Sequence, residues 1–481
     1  MWNAIFNFYQ YTIFIYMLAI VIIYLTLVIM SLRVRQNHRT KISDYYLDAL
    51  NKSPYAPGIS IVAPAFNEER TIVINIKSML SIDYPVYEVV IVNDGSTDQT
   101  LEKMIEAFEL VETPYLYIEK IKSKPFKRIF KSTNPLYEKL TIVDKVNGGT
   151  KADASNAGVN VAKYPYFICT DVDCILAQDA LSRMVLPILQ SPKRVIAVGA
   201  TMRMVNSCKI STETGRVIED NVPTQIWPMY QEVEYLRSYL VGKSGWSKIN
   251  AVPNVSGGLG LFDKSVVISI GGYDPLSHAE DMDLTFRMIA YMRDYNKEYV
   301  IKQIPETCCW TEGPSTLRVL NRQRTRWARG LLQCLLVHRR FMLNAKYGRL
   351  GLITYPYMFF FEFMAPIIEA VGILFTIYLL FNGGVNQKYA FIMLFYVYMF
   401  SLCISITALF SDARTEFRHK SMGSYIRIGL ATLVEAIIYH PLIVFFSIKG
   451  YINFLTRKNF KWGQMTRQGF DNSSEREAKT V

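Results

Sequence analysis

The chain is poor in the residues that several common chemistries require. Its seven cysteines are scattered over 481 residues, with only Cys308 and Cys309 adjacent and no CxxC pair. Neither a disulfide framework nor a zinc site is indicated, and a reducing compartment suits the soluble part. No GxxxxGK[ST] run occurs, which argues against an ordinary ATPase. Five histidines and the lack of a nucleophile-elbow motif leave no Ser-His-Asp spacing to assign. The first ten residues hold no Lys or Arg, so the n-region of a signal peptide is missing and the apolar run that follows is expected to be a retained helix.

What the chain does have is a contrast between apolar and charged stretches. Apolar residues make up 51% and charged residues 20%, a mixture that fits a water-soluble domain joined to membrane helices. The net charge of +12 would suit nucleic acid, anionic headgroups or phosphorylated substrates without choosing among them. Residues 13–30 carry no charge, about the length needed to cross hydrocarbon. Arg33, Arg35, Arg39 and Lys41 follow, which puts that side in the cytoplasm. Three further candidate spans occupy about 352–381, 389–410 and 425–448. Three full crossings would leave Lys449, Arg457, Lys458, Lys461 and Arg467 outside, against the positive-inside trend. A last segment that is bent or re-entrant, with Pro441 as the point where it can break or kink, and a cytoplasmic tail are therefore expected.

Between these apolar parts, short β-branched runs at 59–63, 87–92, 140–143 and 166–170 alternate with segments of helical period. This rhythm predicts a mostly parallel sheet with helices on its faces. FNEE, NDGS and TDVD end three of the runs. Ligands of open α/β sheets bind at the carboxyl ends of strands, so these side chains point to one crevice. The basic segment 119–139, with Lys120, Lys122, Lys124, Lys127, Arg128 and Lys131, reads as a solvated insertion loop, with contact to anionic headgroups as the sharper alternative.

Asp171 and Asp173 place two carboxylates after an apolar strand. Hard divalent cations take such oxygens together with substrate phosphates, although a solvated turn is the commoner meaning of two nearby acids. Glu280 and Asp281 open a helical stretch, EDMDLTFRMIA. Acids in a first turn ordinarily complement the helix dipole, but a carboxylate held near an anomeric carbon could take an acceptor's hydroxyl proton. Gly257-Gly258-Leu259-Gly260 either lets backbone approach a ligand or makes a turn. In residues 318–330, Arg318, Arg322, Arg324, Arg326 and Arg329 surround Trp327. An aromatic ring among fixed positive charges suits a sugar joined to a nucleotide diphosphate. Taken alone it equally reads as an interfacial helix with snorkelling arginines.

Taken in order, PAFNEE, VNDGSTD, NGGTKADASNAG, TDVD, HAEDMD and QRTRW form a set that resembles the family 2 processive glycosyltransferases. That group includes cellulose, hyaluronan, chitin and poly-N-acetylglucosamine synthases, and the likeness runs from about residue 58 to 329. The resemblance implies an α/β GT-A (nucleotide-diphospho-sugar transferase) catalytic domain plus an α-helical transmembrane region. The implied layout is a transmembrane helix at 1–35, a linker at 36–57, the cytoplasmic GT-A domain at 58–330, an interfacial helix at 331–350, transmembrane helices at 351–450 and a cytoplasmic tail at 451–481. Asn67, Glu68 and Asp94 would line the nucleotide pocket of a UDP-sugar donor, UDP-GlcNAc or UDP-Glc, with Lys151 as the family's basic residue. Asp171 and Asp173 would hold the donor phosphates through Mg²⁺ or Mn²⁺. Asp281 would be the catalytic base, supported by Glu280. Gln323 and Arg326 would hold the diphosphate and the acceptor end, and Trp327 would stack under the growing glycan. Trp462 and Arg467 would sit in a loop over the donor.

The implied product is a β-linked polysaccharide, made by inversion and exported through the plasma or inner membrane. The partners implied are the lipid bilayer and a small accessory membrane subunit, with no nucleic acid. The usual GGKADALN-like run is here GGTKADASN, with an extra Thr150 and with Ser155 for an apolar residue, which leaves the place of Lys151 open. No FxVTxKG-like loop is present, so activation by a cyclic dinucleotide is not expected. Glu362 and Glu369, seven residues apart, either line a water-filled path or pair with neighbouring helices. Tyr355, Tyr357 and Tyr378 are candidate wall residues of a glycan tunnel. A non-processive transferase making a glycolipid and a non-enzymatic basic membrane protein are the competing readings. The strand-end acids weigh against the latter.

Overall fold

The computed structural model describes residues 2–41, 44–382, 387–416 and 422–456. The β-branched runs become strands because their side chains pack on both faces of a pleat. The strands are β1 (Ile59–Ala65), β2 (Tyr87–Asn93), β3 (Leu110–Glu112), β4 (Phe126–Ser132), β5 (Leu140–Lys145), β6 (Tyr166–Thr170), β7 (Ile175–Leu176), β8 (Val195–Met204), β9 (Lys209–Ile210), β10 (Val217–Glu219), β11 (Leu259–Asp263) and β12 (Val300–Thr311). All but β9 and β10 form one ten-stranded sheet in the order β3-β4-β5-β2-β1-β6-β11-β8-β12-β7. Its heart, β5-β2-β1-β6, is parallel. β11 runs antiparallel between β6 and β8, which makes the whole sheet mixed.

The helices are α1 (Trp2–Lys41), α2 (Asp44–Asn51), α3 (Ile72–Leu80), α4 (Thr100–Ala107), α5 (Lys151–Val161), α6 (Ala180–Gln190), α7 (Ile226–Leu236), α8 (Ser244–Lys248), α9 (Lys264–Ser269), α10 (Glu280–Asp294), α11 (Leu317–Val337), α12 (Tyr355–Tyr357), α13 (Met364–Phe381), α14 (Gln387–Glu416) and α15 (Met422–Leu455). Successive residues of a strand face opposite sides, and β1 shows the result. Val62 joins Ala154 and Ala157 of α5 in one core. Ile59, Ile61 and Ala63 join Ile72 and Ile76 of α3 in the other. Parallel strands covered on both faces are continuous apolar runs for this reason.

Three parts of the chain differ from the sequence-based expectation. The basic segment is not a loop throughout, because β4 pairs antiparallel with β5 and β3. Ile129 and Phe130 are buried there, and two apolar residues suffice to seat the strand while its lysines stay at the edge. Residues 44–51 within the expected linker are helical. The last apolar segment runs through Pro441 as one helix, Met422–Leu455, so the helix does not stop at the proline. A proline removes one backbone hydrogen bond, and tertiary contacts hold this helix on both sides of it. Before the proline, Glu435 meets Arg237 and Tyr439 donates to Glu234 at 2.8 Å. After it, Gly450 lies so close to α11 that an added Cβ would be 2.6 Å from the Thr325 carbonyl. Only glycine permits that approach.

Four helical stretches among the described residues are long and apolar enough to cross a membrane: Tyr11–Gln36, Leu350–Phe381, Leu394–Thr415 and Met422–Leu455. Two of them, within α14 and α15, are tied to the sheet domain through arginines. Arg203 on β8 donates to Thr307 at 2.8 Å, pairs with Glu232 of α7 at 3.2 Å and also pairs with Asp412 of α14. Arg237 donates to Glu435 of α15 at 3.1 Å and to Ser405 of α14 at 2.7 Å. Arg203, Glu232, Asp412 and Glu435 are buried. Removing one partner of such a set leaves uncompensated charge away from water. Arg203→Met should therefore lower stability by about 3–5 kcal/mol, read as a drop in Tm of the detergent-solubilised protein. An unchanged Tm would show that Glu232 and Asp412 are accommodated without it.

Candidate active site

The site begins where β1 and β2 end. Asn67 adopts a left-handed backbone, φ 56°, which asparagine tolerates better than most residues. Its side chain accepts from Thr97 N at 2.8 Å, and its own N–H donates to Ser96 at 3.1 Å. Glu68 N donates to Thr100 at 2.8 Å, and Gln99 N donates to Glu69 at 3.1 Å. The FNEE and NDGSTD loops are thus laced into one wall. Asp94 is turned away from it. Its carboxylate accepts from Lys145 Nζ at 2.6 Å and Gly148 N at 3.0 Å. Asn67 and Glu68 line the central cavity, and Asp94 does not.

Thr150, the extra residue, caps α5: its hydroxyl accepts from Asp153 N at 3.3 Å. Lys151 is therefore the first residue of the helix, aimed across the sheet ends. Its ammonium donates to Gly257 O at 2.6 Å and pairs with Asp171. Burial, the largest single effect, works against this charge, but the Asp171 carboxylate together with Cys169 and Glu280 more than offsets it and raises the pKa. Gly258 lets the following loop close in, since a Cβ there would meet Met202 at 2.6 Å and Asp171 at 3.5 Å. Carboxylate oxygens of Asp171 and Asp173 and the Cys174 thiol lie within 4.8 Å of one another. The two carboxylates are the donors a hard divalent cation takes, whereas a buried thiol is not. The aspartate pair therefore fits such an ion.

α10 supplies the facing acids. Asp281 Oδ2 accepts from Asn254 at 3.1 Å and from Gly257 N at 3.0 Å. Burial pushes the Glu280 carboxyl up, Lys151 pulls it back and Asp281 adds to the rise. α11 holds this helix in place. Its Gln333 accepts from His278 N at 2.8 Å and donates to Leu276 O at 2.9 Å, and His338 just beyond it meets Asp283 at 2.7 Å. The same helix carries QRTRW. Gln323 is buried and Trp327 is 37% exposed, and Arg326 faces the cavity with both.

The Glycosyl transferase family 2 model matches residues 60–207, and the Glycosyl transferase family group 2 model matches residues 231–410. A poly-β-1,6-N-acetyl-D-glucosamine synthase of Staphylococcus epidermidis is 30% identical over 369 residues, covering 75% of this chain and 76% of that one. The chain belongs to the family 2 glycosyltransferases. The enzyme of the same name from a Staphylococcus aureus strain is 30% identical over 289 residues, covering 59% of this chain and 58% of the relative. A mannosyltransferase from Pyrobaculum calidifontis, solved with GDP-Man and Mn²⁺, superposes with a TM-score of 0.50 at 18% identity. The alignment covers 90% of this chain and 100% of that one. That likeness concerns the fold, and the architecture is GT-A.

In this family 2 glycosyltransferase the strand-end acids and the QRTRW helix share one cavity of about 1950 Å³. Asn67, Glu68, Lys151, Asp171, Asp173, Glu280, Asp281, Gln323, Arg326 and Trp327 all line it. So do Tyr357, Glu362, Glu369 and His440 from the apolar helices. Glu362 accepts from Tyr357 of its own apolar stretch at 2.7 Å, and Glu369 meets His440 of α15 at 2.8 Å, so both glutamates line the cavity and each has a polar partner. Tyr355 is spent on the Leu335 carbonyl, and Tyr378 is exposed outside the cavity. Trp462 and Arg467 lie outside the described residues. Sequence reading missed Asn254, Glu234 and Lys243. Asn254 stood three residues before the singled-out glycines, but nothing in the chain pairs it with Asp281. Gln333→Met should leave α10 loosely seated. It is expected to lower transfer about 10- to 100-fold, as small misplacements of a reacting group do, with donor affinity kept. Full turnover would remove α11 as the support of Asp281.

Proposed function

We propose that the protein is a membrane-embedded inverting glycosyltransferase that extends a β-linked polysaccharide from a UDP-sugar and passes it into the membrane. The observation that carries this reading is the single cavity joining the strand-end acids to the apolar helices. A single addition to a lipid has no need of a path behind the acceptor. UDP-N-acetylglucosamine is the favoured donor, on the strength of relatives named poly-β-1,6-N-acetyl-D-glucosamine synthases, with UDP-glucose as the alternative.

In this scheme the nucleotide lies against Asn67 and Glu68, with Lys151, Gln323 and Arg326 around the diphosphate. Asp171 and Asp173 would hold Mg²⁺ or Mn²⁺, which when bound neutralises charge on the leaving diphosphate. The acceptor's terminal sugar stacks on Trp327. Asp281, fixed by Asn254 and Gly257 N, takes the acceptor hydroxyl proton. The freed oxygen bonds to the anomeric carbon as its bond to the diphosphate breaks, which inverts configuration. Glu280 supports Asp281 by shaping the charge beside it. The catalytic domain is assigned to the cytoplasm. The C-terminal end of α15 packs on α11 beside the site, with Lys449 donating to Asn321 at 3.1 Å. That contact favours a tail on the same side. Trp462 and Arg467 retain their proposed place over the donor, and a small accessory membrane subunit remains a proposed partner.

Purified protein given labelled UDP-N-acetylglucosamine and Mg²⁺ or Mn²⁺ should make high-mass, enzyme-digestible polymer. Chelation should stop the reaction, and Asp281→Asn should lower it by about 10²- to 10⁴-fold, the usual worth of a general base. A product of one sugar on a lipid would overturn processivity. Donor binding that needs no cation and leads to no transfer would return the chain to a binding role.

A further inference from the structure

Two buried lysines face the cavity, and they face different carboxylates. Lys151 is charge-coupled to Asp171 and Glu280. The carboxylate that acts on Lys243 is Asp281. Lys243 is 9% exposed and lines the cavity. Its ammonium lies 4.8 Å from the centre of the Tyr239 ring. Among the described residues it makes no hydrogen bond and no ion pair. Burial of the side chain lowers its pKa to about 8, with Asp281 opposing the fall. The backbone at this point is also unusual. Lys243 ends a π-helical turn, Arg237–Lys243, set between α7 and α8. Such turns are rare, re-aim the side chains around them and recur at functional sites.

We propose that Lys243 is a positioning residue for the acceptor sugar. Its N–H groups donate to acceptor oxygens and turn the reacting hydroxyl toward Asp281. The inference rests on the reading of Asp281 as the base. The other buried lysine of the cavity, Lys151, is already engaged by Asp171 and the Gly257 carbonyl, whereas Lys243 has only the Tyr239 ring beside it. A neutral sugar gives an ammonium several oxygen acceptors at once, which relieves the unpaired state only when the acceptor is bound. Lys243 keeps its protons throughout. The proton that moves is the acceptor hydroxyl's, and it moves to Asp281.

The test is Lys243→Met, with Lys243→Gln beside it, assayed on the full-length protein in detergent with a short β-linked N-acetylglucosamine oligosaccharide as acceptor. Lys243→Met keeps the length and removes the buried charge, so its Tm should stay level or rise, the usual trade at a functional site. Its acceptor KM should rise about 10- to 100-fold, the scale of a lost hydrogen bond to a charged group, while UDP-sugar affinity is kept. Lys243→Gln, which retains N–H donors, should fall between it and the native protein. An acceptor KM within about twofold of native overturns the proposal. A fall in Tm together with a parallel loss of donor affinity also overturns it, because that is a structural role. The base assignment is read separately. An Asp281→Asn variant with native turnover would sink that assignment whatever Lys243→Met does, and an inactive one leaves the Lys243 result to stand or fall alone.

Discussion

The guanidinium of Arg324 sits where the soluble and apolar halves of the molecule meet. It grips Glu234 of α7 through two bonds of 2.6 Å, donates to Tyr439 of α15 at 2.8 Å and lies 4.3 Å from the centre of the Trp327 ring. One buried cation therefore fixes three helices and the aromatic wall of the cavity together. A planar guanidinium can bond a carboxylate through its fork while its face stacks on a ring, and lysine can do neither. Both partners are largely withdrawn from water, so the arrangement holds only as a complete set.

The same matching recurs across the molecule, and its degree of completion separates support from function. Lys145 is fully buried and saturated by Asp94, Asp153 and the Val146 carbonyl. It holds the loops behind the site and has nothing left to offer a ligand. Arg203, between Glu232 and Asp412, ties α14 to the sheet in the same way. Lys151 shares its charge between a carbonyl and an aspartate at the cavity wall. Lys243 has no such partner and lines the same cavity as Asp281. Buried charges that are satisfied by protein rigidify it, while those left short are where a ligand completes the set.

Much of the site was legible in advance because each motif follows a strand end, and parallel strands bring their carboxyl ends to one edge. Asn67, Glu68, Asp171 and Asp173 meet there for that reason. Asp94 looked equivalent on the same grounds. Its place is set instead by Lys145, a residue with no motif around it, 51 positions along the chain. The spacing of GGTKADASN leaves the place of Lys151 open, because only the fold shows Thr150 to be the cap that makes Lys151 the first residue of α5. Lys243 gave no signal at all, since a lysine in YLVGKSGW reads as a solvated helix residue until a cavity is found beside it. The helix of α15 continues through Pro441 because contacts with α7 and α11, which the sequence does not reveal, hold it on both sides.

From sequence alone came the alternation of strands and helices, the apolar segments long enough to cross a bilayer and the family-like order of the acidic and QRTRW motifs. These are local quantities, set by period, hydropathy and side-chain type. Tertiary structure decided which acids face the cavity, which cations are already spent, and that residues of the strand ends and of the apolar helices line one cavity. Those depend on pairings between residues as far apart as Arg324 and Tyr439. A buried charge is defined by its partner, and the sequence does not say which partner folding will bring to it.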